Sequence, residues 1–172
     1  MAVSEQNYKI GLGGSCHWCT EAIFQSLLGV TIVEQGWITA LSEPAPSEAI
    51  IVTYDSAIID LHTLIEIHLH THSCTSAHSM RQKYRSAIYV YSETQKQEAE
   101  NSIILLQEDF DTPVITKVLL FESFKLNTPE YLNYYFNNPD KPFCKNIINP
   151  KLQILLARFM SSLDPNKIIP PS

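Results

Sequence analysis

The chain has 172 residues, 45% hydrophobic, 17% charged and 10% aromatic, which suits one globular domain with a full core and excludes a disordered chain. A net charge of −6 without a basic patch or tail argues against nucleic-acid and anionic-membrane partners. No apolar run approaches the roughly 18 residues of a membrane-crossing helix, and residues 1–9 lack the basic-then-apolar pattern of a secretory leader, so a cytoplasmic protein is expected.

Residues 8–13 alternate as a short strand. From 16 to 28, Trp18, Ala22, Ile23, Leu27 and Leu28 recur at helical spacing, and Gly29 is the stop. Residues 30–38 and 48–55 read as two strands joined by a Ser/Pro-rich loop, 41–47. Leu61, Leu64, Ile65, His68 and Leu69 form one face of a second helix. The run YRSAIYVY, 84–91, is aromatic and β-branched and predicts a strand. Ser92 and Gln95 then fit a capping box, with Ala99, Ile103, Leu106 and Phe110 as the buried stripe of the helix that follows. Residues 114–121 are a further strand. A last helix covers about 150–160, with Pro at its first position. The order β-α-β-β-α-β-α-β-α predicts an α+β fold, drawn as a two-layer mixed sheet with packed helices. No repeat or linker divides the chain, so one domain over 1–172 is expected, with 1–6 and 164–172 as flexible tails.

The strongest local signal is Gly13, Gly14, Ser15, Cys16, His17, Trp18, Cys19. A glycine pair leads from strand to helix and leaves a cysteine at the helix start. Unpaired N–H groups and the positive end of the dipole there favour a thiolate, hence a nucleophile. The plain alternative is a small apolar residue filling the turn. Cys16 and Cys19 also form a Cys-x-x-Cys pair, which can be a dithiol couple or half a zinc site. His68, His70, His72, Cys74 and His78 could supply further ligands, but their spacing matches no common zinc module, and a solvated His-rich helix end is the expectation. Glu48 opens the apolar run EAIIVTY. A carboxyl desolvated at the mouth of a buried strand has its pKa raised and can act as a general acid; the alternative is a strand-end carboxylate reaching water. Tyr84 could bring a phenol to the same place, although tyrosines at strand starts are usually core or rim residues.

These motifs together resemble the A-type peptide methionine sulfoxide reductases. The family's Gly-Cys-Phe-Trp turn, often continued Cys-Thr-Glu, is matched by Ser15, Cys16, His17, Trp18, Cys19, Thr20 and Glu21. Its His-Ala-Glu-Ala strand and Tyr-Asp pair are echoed by Pro46-Ser47-Glu48-Ala49 and Tyr54-Asp55, and its Tyr-Arg-Ser-Ala-Ile is intact from Tyr84. Asn138-Pro139-Asp140-Lys141-Pro142-Phe143-Cys144, with Pro150 and Lys151 after it, is similar to the family's Asn-Pro-Asp-Gln-Pro-Tyr-Cys segment. The similarity runs from about residue 8 to 160.

The resemblance implies a ferredoxin-like reductase fold and a cofactor-free thiol mechanism. Cys16 attacks the sulfoxide sulfur, Glu48 gives the oxygen a proton with help from Tyr84, and methionine leaves a sulfenic acid on Cys16. Cys144 then condenses with it to a disulfide, which thioredoxin reduces; Cys19, one helical turn from Cys16, is a rival resolving thiol, and Cys74 has no assigned role. The substrate methyl pocket falls on His17 and Trp18. Substrates implied are oxidised proteins, peptides and free methionine sulfoxide.

The chain also departs from the pattern. Ser15 stands where the family has glycine, which predicts a strained or altered backbone. His17 puts a titratable ring in an apolar wall. The stretch from Gly36 to Glu48 is about eleven residues short of typical members and lacks their second catalytic tyrosine. The loop before Tyr84 lacks an aspartate, and Tyr131-Leu132 replaces His-Gln. Losing one oxyanion donor costs on the order of a hundredfold in rate. A repurposed homologue, acting on another sulfoxide or thiol or only binding methionine-containing peptides, is the alternative function.

Overall fold

The computed structural model describes residues 7–77, 79–138, 140–142 and 149–167. Five strands, β1 (Asn7–Gly13), β2 (Val30–Ala40), β3 (Ser47–Asp55), β4 (Ala87–Val90) and β5 (Lys117–Leu126), alternate with helices α1 (His17–Gln25), α2 (Leu61–His70), α3 (Glu93–Leu106), α4 (Tyr134–Asn137) and α5 (Asn149–Arg158). The helix starts are set by side chains the sequence supplies. Asp60 accepts the Thr63 N–H at 2.8 Å at the head of α2. Ser92 accepts Gln95 N–H at 3.1 Å at the head of α3, while the Gln95 side chain reaches back to Tyr91 N–H at 2.7 Å.

The expected α+β class holds, but the sheet is not one layer of an open, ferredoxin-like sandwich. It closes into a barrel in the order β1-β3-β2-β5-β4. The reason is that β1 is antiparallel to both β3 and β4, and β5 joins β2 antiparallel and β4 parallel. Every strand then has two partners, and no edge is left among the described residues. Alternation sorts the side chains. Ile10, Leu12, Ile50, Val52, Ile88 and Val90 turn outward into the large core beneath the helices. Ile38, Ala40, Ala49, Ile51, Ala87 and Tyr89 form a second, interior cluster. So narrow a barrel requires small residues. A Cβ on Gly11 would stand 2.8 Å from Tyr89 Cβ and from Ile38 Cδ1, so glycine there admits the tyrosine ring.

Three boundaries differ from the sequence reading. Helix α1 ends at Gln25, not at 28. Strand β5 begins at Lys117, because Val114 and Ile115 leave the ladder and the Ile115 N–H goes to the Cys74 carbonyl at 2.8 Å. Residues 164–167, expected within a tail, are held down: Asp164 N–H donates to Ser26 O at 2.9 Å, and Lys167 Nζ donates to the carbonyls of Leu27 and Val30 at 2.9 and 2.7 Å. No helix among the described residues is long and apolar enough to cross a membrane.

Candidate active site

The end of β1 delivers the chain to the head of α1 through Gly14, whose φ of 148° favours glycine. A Cβ there would also lie 2.5 Å from the His72 ring. Ser15 carries no positive φ, so the strain expected at that position is absent; the turn falls on Gly14 instead. The histidine-rich segment, expected to be a solvated helix end, fastens this turn. His68 is buried, with Nε2 at 2.8 Å from the Gly13 carbonyl, and His72 Nε2 bonds the Ser86 hydroxyl at 2.8 Å. Arg81 adds a 2.7 Å bond to the Gly14 carbonyl. His70 lies apart, 2.9 Å from Asp109 Oδ2. With Glu66 it forms the one potential metal-ligating group found among the described residues, and the Arg158 guanidinium already sits 3.4 Å from the same Asp109 oxygen.

Cys16 is the N-cap of α1, half-buried, and its carbonyl accepts Cys19 and Thr20 N–H at 3.0 and 3.2 Å. Its thiol is held below the ordinary range, first by a hydrogen bond from the Cys19 thiol and then by the N–H groups of Trp18 and Cys19, against the opposing effects of burial and of Glu48.

Register brings the carboxyl to the nucleophile. Glu48 pairs with Trp37 across β2 and β3 and is buried. Its Oε1 accepts the His17 N–H at 3.3 Å and lies 3.3 Å from His17 Nε2, while Oε2 faces Lys83 Nζ at 3.5 Å. The setting differs from the apolar strand mouth expected from sequence, since two nitrogenous side chains meet the carboxyl there. Lys83 also lies over the Tyr84 ring, 5.1 Å from its centroid, and bonds its hydroxyl, so it links the half-buried Tyr84 to Glu48. The segment is stapled to β3: Glu48 N–H and Ser47 Oγ both donate to the Lys83 carbonyl at 3.0 Å.

His17 turns inward. Its Nδ1 lies 3.0 Å from the Gly36 carbonyl, which can only accept, so Nδ1 carries the hydrogen and Nε2 is the bare nitrogen of the neutral ring. Burial lowers the His17 pKa, as does the Lys83 charge, although the Gly36 bond and Glu48 act in the other direction. The Trp37 ring stands edge-on at 5.2 Å. A Cβ on Gly36 would fall 2.0 Å from the Lys125 carbonyl, so glycine sets the close approach of β5 behind this wall.

Trp18 forms the other wall, stacked between Tyr134 (4.0 Å between centroids, 12° between planes) and Tyr131 (5.6 Å, 24°). Sequence reasoning missed the residue that sets this stack. Glu21, fully buried on α1, accepts the N–H groups of Asn133 and Tyr134 at 3.0 and 3.1 Å. Burial raises its pKa against those bonds. It also missed Lys83 and Trp37; the second was discoverable from the hairpin register that places it opposite Glu48. Cys144 lies outside the described residues. Cys16, His17, Trp18, Glu48 and, through Lys83, Tyr84 are connected by contacts around the head of α1.

A model of the peptide methionine sulfoxide reductase family matches residues 8–163. The chain is 32% identical over 168 residues to "Peptide methionine sulfoxide reductase MsrA" of Chromobacterium violaceum, covering 88% of this chain and 96% of that protein. It is 30% identical over 163 residues to the protein of that name from Sulfolobus acidocaldarius, with 86% and 93% covered. Reduced Mxr1 from Saccharomyces cerevisiae shares the fold with a TM-score of 0.73 at 18% identity, over 84% of this chain and 92% of that one. Mxr1 in complex with Trx2 aligns with a TM-score of 0.60 at 16% identity, over 78% and 88%. With a turn built for a low-pKa thiol and a family match across most of its length, the chain belongs to the peptide methionine sulfoxide reductase family.

Proposed function

We propose that this protein reduces methionine-S-sulfoxide, free or within oxidised proteins and peptides, to methionine, with thiols as the source of electrons. The observation that carries this reading is the contact between the head of α1 and the buried Glu48. Cys16 caps the helix with a thiol held low, and the very next N–H is bonded to the carboxyl. The Cys16 thiolate attacks the sulfoxide sulfur as the S–O bond breaks, and Glu48 transfers a proton to the departing oxygen. The released hydroxide then adds to the Cys16 sulfur as the new bond between the two sulfurs breaks, so that methionine leaves with that electron pair and Cys16 keeps the oxygen as a sulfenic acid. Tyr84 and Lys83 stabilise the charge that develops on the oxygen. Trp18, with His17, contacts the substrate methyl. Cys144 serves as a resolving thiol, as the family resemblance implies, and no cofactor takes part.

Thioredoxin is the reductant in this scheme, a reading supported by the Mxr1 structure solved with Trx2. A reducing, cytoplasmic setting suits a catalyst with three cysteines outside any disulfide among its described residues. One observation favours a second reading, a changed sulfoxide or thiol substrate: the polar His17 ring stands where the family has an apolar one. Turnover of the S- and R-epimers of a methionine-sulfoxide peptide with dithiothreitol tests both. Consumption of the S-epimer alone, lost in Cys16→Ser, upholds the reductase. Inactivity on both epimers, with turnover of another sulfoxide, transfers the site to the second reading.

A further inference from the structure

Beside the catalytic residues lies an open groove of about 440 Å³ on the outer face of β2 and β5, lined by Trp37, Thr39, Pro46, Ser123, Phe124 and Lys125. Alternation puts Trp37 and Thr39 on the side of β2 away from the interior cluster that holds Ile38 and Ala40, and their register partners Lys125 and Ser123 present the same face of β5. Trp37 belongs to both places. It pairs with Glu48 of β3 and its ring meets His17 edge-on, so the catalytic pocket and the groove share one wall. The short 41–47 connection leaves the groove open. Ala40 and Glu43 exchange backbone bonds at 3.0 and 3.1 Å, and Leu41 N–H donates to the Leu120 carbonyl at 3.1 Å. The Glu43 carboxylate is held by Lys117 Nζ at 2.8 Å and is not part of the lining. Lys125 is thus the one charged residue of the groove, exposed and without an ion pair among the described residues.

We propose that this groove is a peptide subsite that takes the residues flanking methionine sulfoxide in an oxidised protein, an apolar or aromatic side chain against Trp37 and an acidic one beside Lys125. This deepens the reductase reading and rests on it. Spacing supports the assignment. Neighbouring strands lie about 4.8 Å apart, and an extended chain advances about 3.3 Å per residue. Trp37 is one strand from Glu48 and Lys125 is two. With the sulfoxide oxygen at Glu48, a residue one or two positions along the peptide lies over the indole, and a residue three positions along lies over the ammonium. The half-buried indole offers a flat apolar surface that a flanking aromatic covers. The ammonium, unpaired on a chain of net charge −6, attracts a carboxylate and repels a cation. Free methionine sulfoxide has no flanking side chain to place there.

Steady-state kinetics on blocked palindromic heptapeptides, Asp-Gly-Phe on either side of a central methionine-S-sulfoxide, test this in both chain directions at once. Each kcat/KM is read as a ratio to that of free methionine-S-sulfoxide. Phe in place of Gly next to the sulfoxide is expected to raise the ratio about fivefold or more, through KM. Asp in place of Lys at the ends raises it about threefold, an effect that fades in about 0.5 M salt. In Thr39→Trp, whose ring fills the groove, the preference for Phe is lost. In Lys125→Glu, a surface change that leaves the core untouched, the order of Asp and Lys reverses. The proposal is overturned if the wild type turns over the Gly and Phe peptides alike, or if both preferences survive the two substitutions. Should neither free nor peptide sulfoxide be reduced, the reductase reading fails separately. Fluorescence anisotropy of the dye-labelled, unoxidised heptapeptide then decides the groove by itself: weaker binding to Thr39→Trp and Lys125→Glu than to the wild type upholds it, and equal binding overturns it.

Discussion

Cys16 and Cys74 are the same side chain in opposite settings. Cys74, 2% exposed in the turn after α2, has its thiol pushed up to about 11 by burial, and the nearby Arg81 charge offsets this only in part. Cys16 also loses solvation, yet its thiol is lowered, because the head of a helix and a neighbouring thiol act directly on the sulfur. A diffuse positive charge is therefore weaker than a few oriented donors, and reactivity in this chain follows the helix start.

The largest test of that contrast is substitution. Cys16→Ser is expected to lower kcat/KM for a methionine-S-sulfoxide peptide by a factor on the order of 10⁴ or more, while Cys74→Ser leaves the rate within about twofold of wild type. Chemical labelling gives the same comparison without a mutation. With its pKa near 11, Cys74 is thiolate in only about one molecule in 10⁴ at neutral pH, so iodoacetamide titration by mass spectrometry is expected to label Cys16 first and Cys74 only after unfolding. Equal labelling rates would break the contrast.

Glu48→Gln keeps the bond to the His17 N–H but removes the transferable proton, and a loss of about 10²- to 10³-fold in kcat at unchanged fold is expected by steady-state kinetics and circular dichroism. Glu21→Ala leaves the N–H groups of Asn133 and Tyr134 without their buried acceptor. Chemical denaturation is expected to show a loss of about 1–3 kcal/mol, together with a raised KM as Tyr134 leaves the Trp18 stack.

The smallest effect concerns His17. Its pKa in the folded chain lies below the ordinary 6.5, so the unfolded chain binds more protons as the pH falls. The stability from burying the neutral ring is full above 6.5 and is lost as the pH drops below 6.5 and through the folded value. His17→Phe, which restores the family's residue type, is expected to flatten the decline of Tm on acidification. A parallel decline in both proteins would assign the sensitivity to other groups.

Much of this was legible in the sequence. Periodicity located α1, α2 and α3 and four of the strands because their buried faces are regular, and the glycine pair marked the turn before Cys16. Strand β5 was misplaced because Val114 and Ile115 have strand-like side chains but no ladder partner; the observed strand instead contains Glu122, Ser123 and Lys125, polar residues that local pattern reading assigns to a loop. Closure was invisible for a related reason, since it depends on β1 having two partners distant in sequence. At the site, Cys16 was a candidate from its place at a helix start and Glu48 from its place on a strand, and β3 brings the Glu48 carboxyl to the His17 N–H beside Cys16. Lys83 and Trp37 became functional candidates only when register brought them beside Glu48, and Glu21 when packing placed it under the Trp18 stack; the His-rich end of α2 read as solvated until the bond of His68 to the Gly13 carbonyl was known.

Barrel closure also orders events during synthesis. β1 emerges first, yet its partner β4 lies some eighty residues later and β5, which completes the ring, later still. Contacts of such long range are formed late. The turn before Cys16 hangs directly on β1, while the donors that lower its thiol belong to the first turn of α1. The ring that encloses this turn is completed only by its C-terminal half, β4 and β5.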